Sequence, residues 1–314
     1  MKEPKHSKYY QIEGSGCLRI SGPDRSAFLQ RQTTNDLELL TADHPLVTVL
    51  TSPTGRILDV LWVIEEDHEA FLAVTLPHQA QQTTDFLKSR IFFMDKVSVE
   101  NISQDFVQIE LIGSRTQDVL QDLDIQHEIK PGQIINPNFT DIPARILFDK
   151  VFGCRFLAAS TKKDRLIDIL QRKDILPLST GEFEIMRVER GIPAAGHELV
   201  EDYTPLEIGF RWAISDSKGC YTGQEMIARQ INYDKITRQL TGLTTSSTPK
   251  IDSILYAREN NQPVGKITSA VNSPAIGPIA LSIVKRPYHE PGSDLFLKYE
   301  DQEIEAETHI LPFE

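Results

Sequence analysis

Cysteine is scarce and scattered in this chain of 314 residues: only Cys17, Cys154 and Cys220 occur. An odd, widely spaced set with no C-x-x-C pair is not a disulfide framework, and free thiols fit a reducing compartment. The eight histidines lie without metal-ligand spacing, so no metal centre is expected. Positive charge is also in short supply: Lys and Arg number 33 against 45 Asp and Glu, a formal net charge of -12. That balance argues against direct nucleic-acid binding and against an anionic membrane surface, while leaving room for a local basic pocket. No apolar run is long enough to cross a bilayer, and the polar start Met1 to Tyr10 lacks the apolar stretch of a signal peptide. A cytoplasmic protein with no membrane partner is the expectation. Gly14-Ser15-Gly16 lacks the third glycine of a dinucleotide fingerprint, and there is no P-loop and no G-x-S-x-G elbow.

What is present is ordinary for a globular chain: 40% apolar and 25% charged residues, with length for about two or three domains. A strand through Ile12 and Leu18 to Ile20 is followed by a helix opened by Gly22-Pro23-Asp24 and carrying Phe28 and Leu29. Strands follow at Val47 to Leu50, Ile57 to Ile64 and Glu69 to Leu76, the last two as a hairpin about Glu65-Glu66-Asp67-His68. Then come a helix from about Pro77 to Arg90, strands near Val97 and at Val107 to Ile112, and a helix from Ser114 to Leu123. The prolines and glycine between Ile129 and Pro143 read as a long connection between lobes. A strand at Cys154 to Ala159, a helix at Lys162 to Arg172 and a helix from a Ser179/Glu182 capping box to about Arg190 complete a second α+β region. Beyond about Leu240 short alternating strands predict a small barrel or sandwich. The expected division is a region of two α+β lobes over 1–238, with an insert lobe at about 45–130, and a β domain over 239–314.

The octamer Lys218-Gly219-Cys220-Tyr221-Thr222-Gly223-Gln224-Glu225 stands out. Thr222 and Glu225 have the T-x-x-E spacing of a capping box, which predicts Thr222 as N-cap of a helix. Cys220 then sits near a positive helix end with Lys218 two residues away, two features that favour a thiolate. Two readings are open: a reactive or contact-making thiol, or a buried inert one. Cys17 and Cys154, in apparent strands, read as small core residues.

Two carboxylates fall where apolar residues are expected. Asp59 lies in a strand whose two faces, Ile57/Leu61/Val63 and Leu58/Val60/Trp62/Ile64, are both apolar. Burying it without a partner costs roughly several kcal/mol, so it either serves a nitrogen-rich ligand or proton transfer, or ends a sheet bonded to backbone. Glu189 falls between Ile185 and Met186 on a helical wheel, where it either grips two N–H groups of a ligand or pairs with Arg187 or Arg190.

The octamer closely resembles the signature of the YgfZ group of folate-binding proteins, relatives of the glycine-cleavage T-protein (aminomethyltransferase). Phe28-Leu29-Gln30 with Thr34-Asn35-Asp36, Gly55-Arg56-Ile57-Leu58-Asp59, Arg187-Val188-Glu189-Arg190-Gly191-Ile192-Pro193, Thr204-Pro205-Leu206-Glu207-Ile208-Gly209 and Gly265-Lys266-Ile267-Thr268-Ser269 with Ser273-Pro274 and Gly277 resemble further segments in the family's order. The resemblance implies an α+β fold of two lobes around a central folate pocket plus a carboxy-terminal β-barrel, and it implies tetrahydrofolate as ligand. It implies that Glu189 holds the pterin, that Asp59 lies near the folate nitrogens, and that Lys218 meets the anionic end. The expected binding set is Asp59, Glu189, Lys218, Tyr221, Gln224 and Arg229, with Asp59 and Cys220 as the groups for chemistry. Members with the cysteine motif are associated with iron–sulfur enzymes and their assembly, and through them with tRNA modification. Asp59 resembles the transferase branch instead, which keeps a folate-dependent aminomethyl transferase open, as it does a scaffold that binds no folate.

Overall fold

Alternating and doubly apolar strands of this sequence build three β units in the computed structural model, which describes residues 7–113, 120, 121, 123, 125, 130–136, 138–139, 142–149, 151–299 and 302–313. In chain order the strands are β1 (Lys8–Gln11), β2 (Gly16–Ser21), β3 (Leu46–Thr51), β4 (Ile57–Glu65), β5 (Ala70–Thr75), β6 (Ser98–Asn101), β7 (Phe106–Ile112), β8 (Gln133–Ile135), β9 (Asn138–Phe139), β10 (Ile142–Asp149), β11 (Gly153–Ala159) and β12 (Leu176–Pro177). The carboxy-terminal strands are β13 (Arg238–Thr245), β14 (Ile254–Ala257), β15 (Pro263–Ser273), β16 (Gly277–Lys285), β17 (Asp294–Tyr299) and β18 (Gln302–His309). The α-helices are α1 (Arg25–Gln32), α2 (Ala80–Ser89), α3 (Lys163–Arg172), α4 (Thr180–Glu189) and α5 (Gln224–Asn232). A five-stranded sheet has the order β3-β4-β5-β2-β6, a seven-stranded sheet the order β12-β1-β7-β11-β10-β8 with β9 on β10, and the last six strands close a barrel.

The two sheets face each other. One face of the five-stranded sheet, with Leu18, Leu61 and Val63, is covered by α1 and α2 through Phe28, Leu29 and Leu87. Its other face, with Val49, Val60, Trp62 and Val74, meets Ile134, Leu147 and Leu157 of the seven-stranded sheet. The far face of the seven-stranded sheet packs Ile109, Leu111 and Phe156 against Leu166 and Leu170 of α3. Apolar residues on both faces of β4 follow from this sandwiching, as a strand covered on both sides requires. The barrel joins through α4, where Val188 packs on Ile279 and Leu281.

Several expectations are corrected. The first strand is two strands in different sheets. The chain breaks at Gly14, whose φ of +64° only glycine adopts freely and where a Cβ would meet the His78 ring at 2.1 Å. Consequently β1 pairs with β7 rather than β2, and the strands of the five-stranded sheet come from the chain between residues 16 and 101. A register shift opposite Leu50/Thr51 makes Leu58 an extra residue in β4. Ile57 therefore joins the face of Val60, and Leu58 packs with Leu61 and Val63. The supposed connection at 129–143 carries β8 and β9, with Gly132 at φ +82° turning the chain. The helix expected over 114–123 lies outside the described residues except for Leu120, Gln121 and Leu123.

The Ser179/Glu182 capping box is formed: Ser179 Oγ accepts from Glu182 N at 3.3 Å, and Ser179 N donates to Glu182 Oε2 at 2.9 Å. The octamer box is not. Gly223, at φ +85°, is the N-cap of α5 with no side-chain cap bond. Thr222 is instead drawn into the first lobe, its N–H donating to Arg31 O at 3.0 Å and its carbonyl accepting from Thr51 Oγ1 at 2.6 Å. Glu225 turns away to Arg229 at 2.7 Å. Tertiary contacts outweigh a local cap worth about 1 kcal/mol.

Candidate functional site

Side chains alternate across the seven-stranded sheet, so every second residue of β1, β7 and β11 points away from α3 and toward the other lobe. Tyr10, Glu110 and Arg155 are register partners in a single cross-strand row. That row forms one wall of a cavity of about 440 Å³ between the lobes, also lined by Trp62, Phe183, Glu184 and Arg187. Tyr10 and Phe183 stack with ring centroids 4.0 Å apart and planes 10° from parallel. A larger space of about 1220 Å³, reaching Trp212 and the barrel's tail at Leu311 and Pro312, shares Gly153, Arg190, Ile192 and Pro193 with the first. The two spaces are therefore neighbours.

Glu110 is buried on this wall, and burial pushes its carboxyl up to about 7 against the opposing pull of the Arg155 guanidinium. Arg155 Nε donates to Glu110 Oε2 at 3.0 Å, Arg155 Nη1 reaches Gln108 Oε1 at 3.4 Å, and the guanidinium lies 4.8 Å over the Trp62 ring. Glu110 Oε1 is buried and has no hydrogen-bond partner among the described residues. On the opposite wall Glu184 accepts from Arg187 Nε and Nη2 at 2.9 and 2.6 Å. Arg187 is itself buried and anchored to the barrel by a bond to Ser269 Oγ at 2.8 Å.

The residues singled out by sequence lie elsewhere. None of Asp59, Glu189, Lys218, Cys220, Tyr221, Gln224 and Arg229 lines either central space. Asp59 is sealed inside the first lobe. Its Oδ1 accepts from Val60 N at 2.8 Å and Leu76 N at 3.0 Å, and its Oδ2 from Thr83 Oγ1 at 2.5 Å. Burial pushes this carboxyl up to about 7 despite those three donors. Glu189 turns to the barrel, accepting from Ser273 Oγ at 2.6 Å. Five residues of helix place it about 140° around from Glu184 at 100° per residue, so the two carboxylates of α4 cannot serve the same space.

Lys218 is buried and donates to Thr33 O at 2.7 Å and Asn35 O at 2.6 Å, which pins the end of α1. Burial lowers its ammonium to about 8. Its two carbonyl partners take two of the three ammonium donors. Tyr221 is buried with Leu206, Ile214 and Ile227, and burial raises its hydroxyl to about 12. Gln224 begins α5 half-buried, and Arg229 is exposed and paired with Glu225. Cys220 is exposed, whereas Cys17 and Cys154 are buried as expected.

The residue that receives Thr222 also organises an apolar turn. Arg31, whose carbonyl holds Thr222, also bonds Asp95 with Nη2 at 2.8 and 2.9 Å and lies 5.7 Å over the Phe92 ring. Asp95 in turn accepts from Phe92 N at 2.9 Å. This fixed turn holds Phe92, Phe93 and Met94 in water at 63, 97 and 71% exposure. Among the described residues no group of three or more His, Cys, Asp or Glu could hold a metal ion.

The chain thus has three units, two facing α+β lobes and a closed six-stranded barrel, with a cavity between the lobes walled by aromatic and charged side chains. Residues 6–147 match the GCVT N-terminal domain, and residues 238–313 match the glycine cleavage T-protein C-terminal barrel domain. The chain belongs to the glycine-cleavage T-protein superfamily. It is 30% identical over 261 residues to a chloroplastic protein of Arabidopsis thaliana that carries a transferase name, covering 81% of this chain and 59% of that protein. The chain thus spans about three fifths of that relative's length. It is 25% identical to the aminomethyltransferase of Prosthecochloris aestuarii, covering 97% of this chain and 86% of that protein. For the aminomethyltransferase of Staphylococcus carnosus the values are 26%, 95% and 84%. The glycine cleavage system aminomethyltransferase T of Bartonella henselae shares the fold, with a TM-score of 0.85, 21% identity, and coverage of 98% of this chain and 86% of that one.

Proposed function

We propose that the central cavity binds a reduced folate, tetrahydrofolate or a one-carbon derivative, and that the protein uses it to support iron–sulfur enzymes. The observation that carries the folate reading is the wall between the lobes: a flat aromatic pair, Tyr10 and Phe183, beside the charged row of Glu110 and Arg155. A fused heteroaromatic ring needs apolar faces to stack on and polar groups at its edge, and these side chains supply both. Calorimetric titration with tetrahydrofolate tests the reading. A micromolar or tighter Kd is the expected result, and no heat at millimolar ligand sinks it.

The iron–sulfur part rests on the cysteine octamer. Cys220 is an exposed thiol, and an accessible thiol suits contact with a protein partner. Cys220→Ala is expected to lower iron–sulfur enzyme activity in cells while leaving the fold and folate binding unchanged. Full activity in that variant removes the thiol from the function.

Aminomethyl transfer to tetrahydrofolate is the second reading, favoured by the aminomethyltransferase relatives matched over nearly the whole chain. Asp59 offers it little: both its oxygens are occupied inside the lobe. Production of methylene-tetrahydrofolate from an aminomethyl donor, abolished by Asp59→Asn, is the result that would reinstate it.

A further inference from the structure

We propose that Glu110 Oε1 is the polar anchor of the central cavity, accepting a hydrogen bond from a ring N–H of the bound ligand. For the ligand's identity this rests on the reduced-folate reading; for the anchor itself it rests on the geometry. Buried carboxylate oxygens nearly always have a donor, and Oε1 has none among the described residues, although Oε2 of the same group is met by Arg155 at 3.0 Å. The unmet oxygen belongs to a residue that lines the cavity.

The surroundings keep that oxygen available. Arg155 is held by Glu110 Oε2, by Gln108 and by the face of Trp62, so its guanidinium is committed to one side of the carboxylate. On another side stands Gly153, where a Cβ would come within 3.1 Å of Oε1. Its φ of +92° suits glycine, and any side chain there would crowd Oε1. Tyr10, the strand partner of Glu110, contributes the flat aromatic surface next to it. A ligand with a planar ring and an N–H on its edge satisfies both features at once. A purely apolar ligand or an anion leaves the acceptor unmet or repels it. Arg155 is a positioning residue: it orients the carboxylate and touches the ligand through no atom the proposal needs.

Acceptance from a ring N–H is strongest in the carboxylate form, where the bond is charge-assisted. Burial holds Glu110 up at about 7, with Arg155 on β11 and Arg190 after α4 favouring the anion and Asp149 at the end of β10 opposing it. Affinity is therefore expected to fall as pH drops below about 7. His78 and His197 also line the cavity, so the part due to Glu110 is what disappears in Glu110→Gln.

The test is titration of the whole protein with tetrahydrofolate under anaerobic conditions, for wild type, Glu110→Gln and Glu110→Asp, with thermal melts to establish folding. Gln keeps the size and removes the charge; Asp keeps the charge beside Arg155 and withdraws the oxygen by one methylene. A hydrogen bond to a charged group predicts about 10- to 100-fold weaker binding in either variant. The affinity difference between wild type and Glu110→Gln should shrink below about pH 7. Wild-type binding that both folded variants retain within twofold overturns the anchor and leaves the folate reading standing. If wild type binds no folate, 2,4-diaminopyrimidine and pterin serve as probes in a thermal-shift assay. Stabilisation of wild type but not of the variants keeps the anchor and discards the folate; no stabilisation by any probe overturns both.

Discussion

Asp59 and Glu110 are two buried carboxyl groups on central strands of facing sheets, and burial pushes both up to about 7. They differ in what surrounds their oxygens. Asp59 receives three donors from its own lobe, two of them backbone N–H groups, so neither of its oxygens is unmet. Glu110 has one cation on one oxygen and an open second oxygen on a cavity wall. Burial and a raised pKa are thus shared by a carboxylate bonded within its own lobe and one on a cavity wall. The inventory of hydrogen bonds separates them, because an acceptor the fold has already filled cannot also serve a ligand.

The comparison breaks most forcefully at Asp59. Asp59→Ala leaves two buried N–H groups and the Thr83 hydroxyl without their acceptor, and a loss of roughly 3 kcal/mol in unfolding free energy is expected by denaturant titration. A silent Asp59→Ala would mean that the three bonds do not hold the lobe together. The next effect is a pH dependence. A carboxyl raised from about 4 unfolded to about 7 folded contributes stability that is full below about pH 4 and lost as pH rises through about 7. Relative to Asp59→Asn, the wild type is therefore expected to lose stability between those values and to level off above them. Melts of both proteins at pH 5 and pH 8 measure it, and a constant difference contradicts the burial of a titrating group.

Smaller effects sharpen the other side of the comparison. Ser179→Ala removes the cap of α4, the helix that carries Phe183 and Glu184 to the cavity, and is expected to cost about 1 kcal/mol by chemical denaturation. Thr222→Ala, at the cap the sequence advertises, should show no loss from a helix cap because that cap is not formed. A cost at Thr222 equal to that at Ser179 would contradict the observed start of α5. Cys220→Ser, at an exposed site, should change stability by less than about 0.5 kcal/mol.

Much of the architecture was legible in local pattern. Alternation located the hairpin of β4 and β5 and the carboxy-terminal strands, and the S-x-x-E spacing at Ser179 gave a helix start that the structure retains. The T-x-x-E spacing at Thr222 misled, because its backbone groups bond to Arg31 and Thr51, far away in sequence. The candidate site was less legible. Glu110 alternates with Val107, Ile109 and Leu111 and shares its strand face with Gln108, so alternation reads it as an ordinary polar-face residue and does not mark it as it marks Asp59. Tyr10 and Phe183 give no such signal, since their stacking joins residues 173 positions apart.

The sequence by itself determined the number and kind of the units, the superfamily through its ordered motifs, and the isolation of its three cysteines. These depend on periodicity and residue type, which are local. Tertiary structure alone decided which buried carboxylate lines the cavity, that Lys218 donates to the carbonyls of Thr33 and Asn35, and that Glu184 rather than Glu189 meets the cavity. Those outcomes depend on the packing of one sheet against another and on a helix's rotation about its axis. Both are set by contacts between residues far apart in the chain.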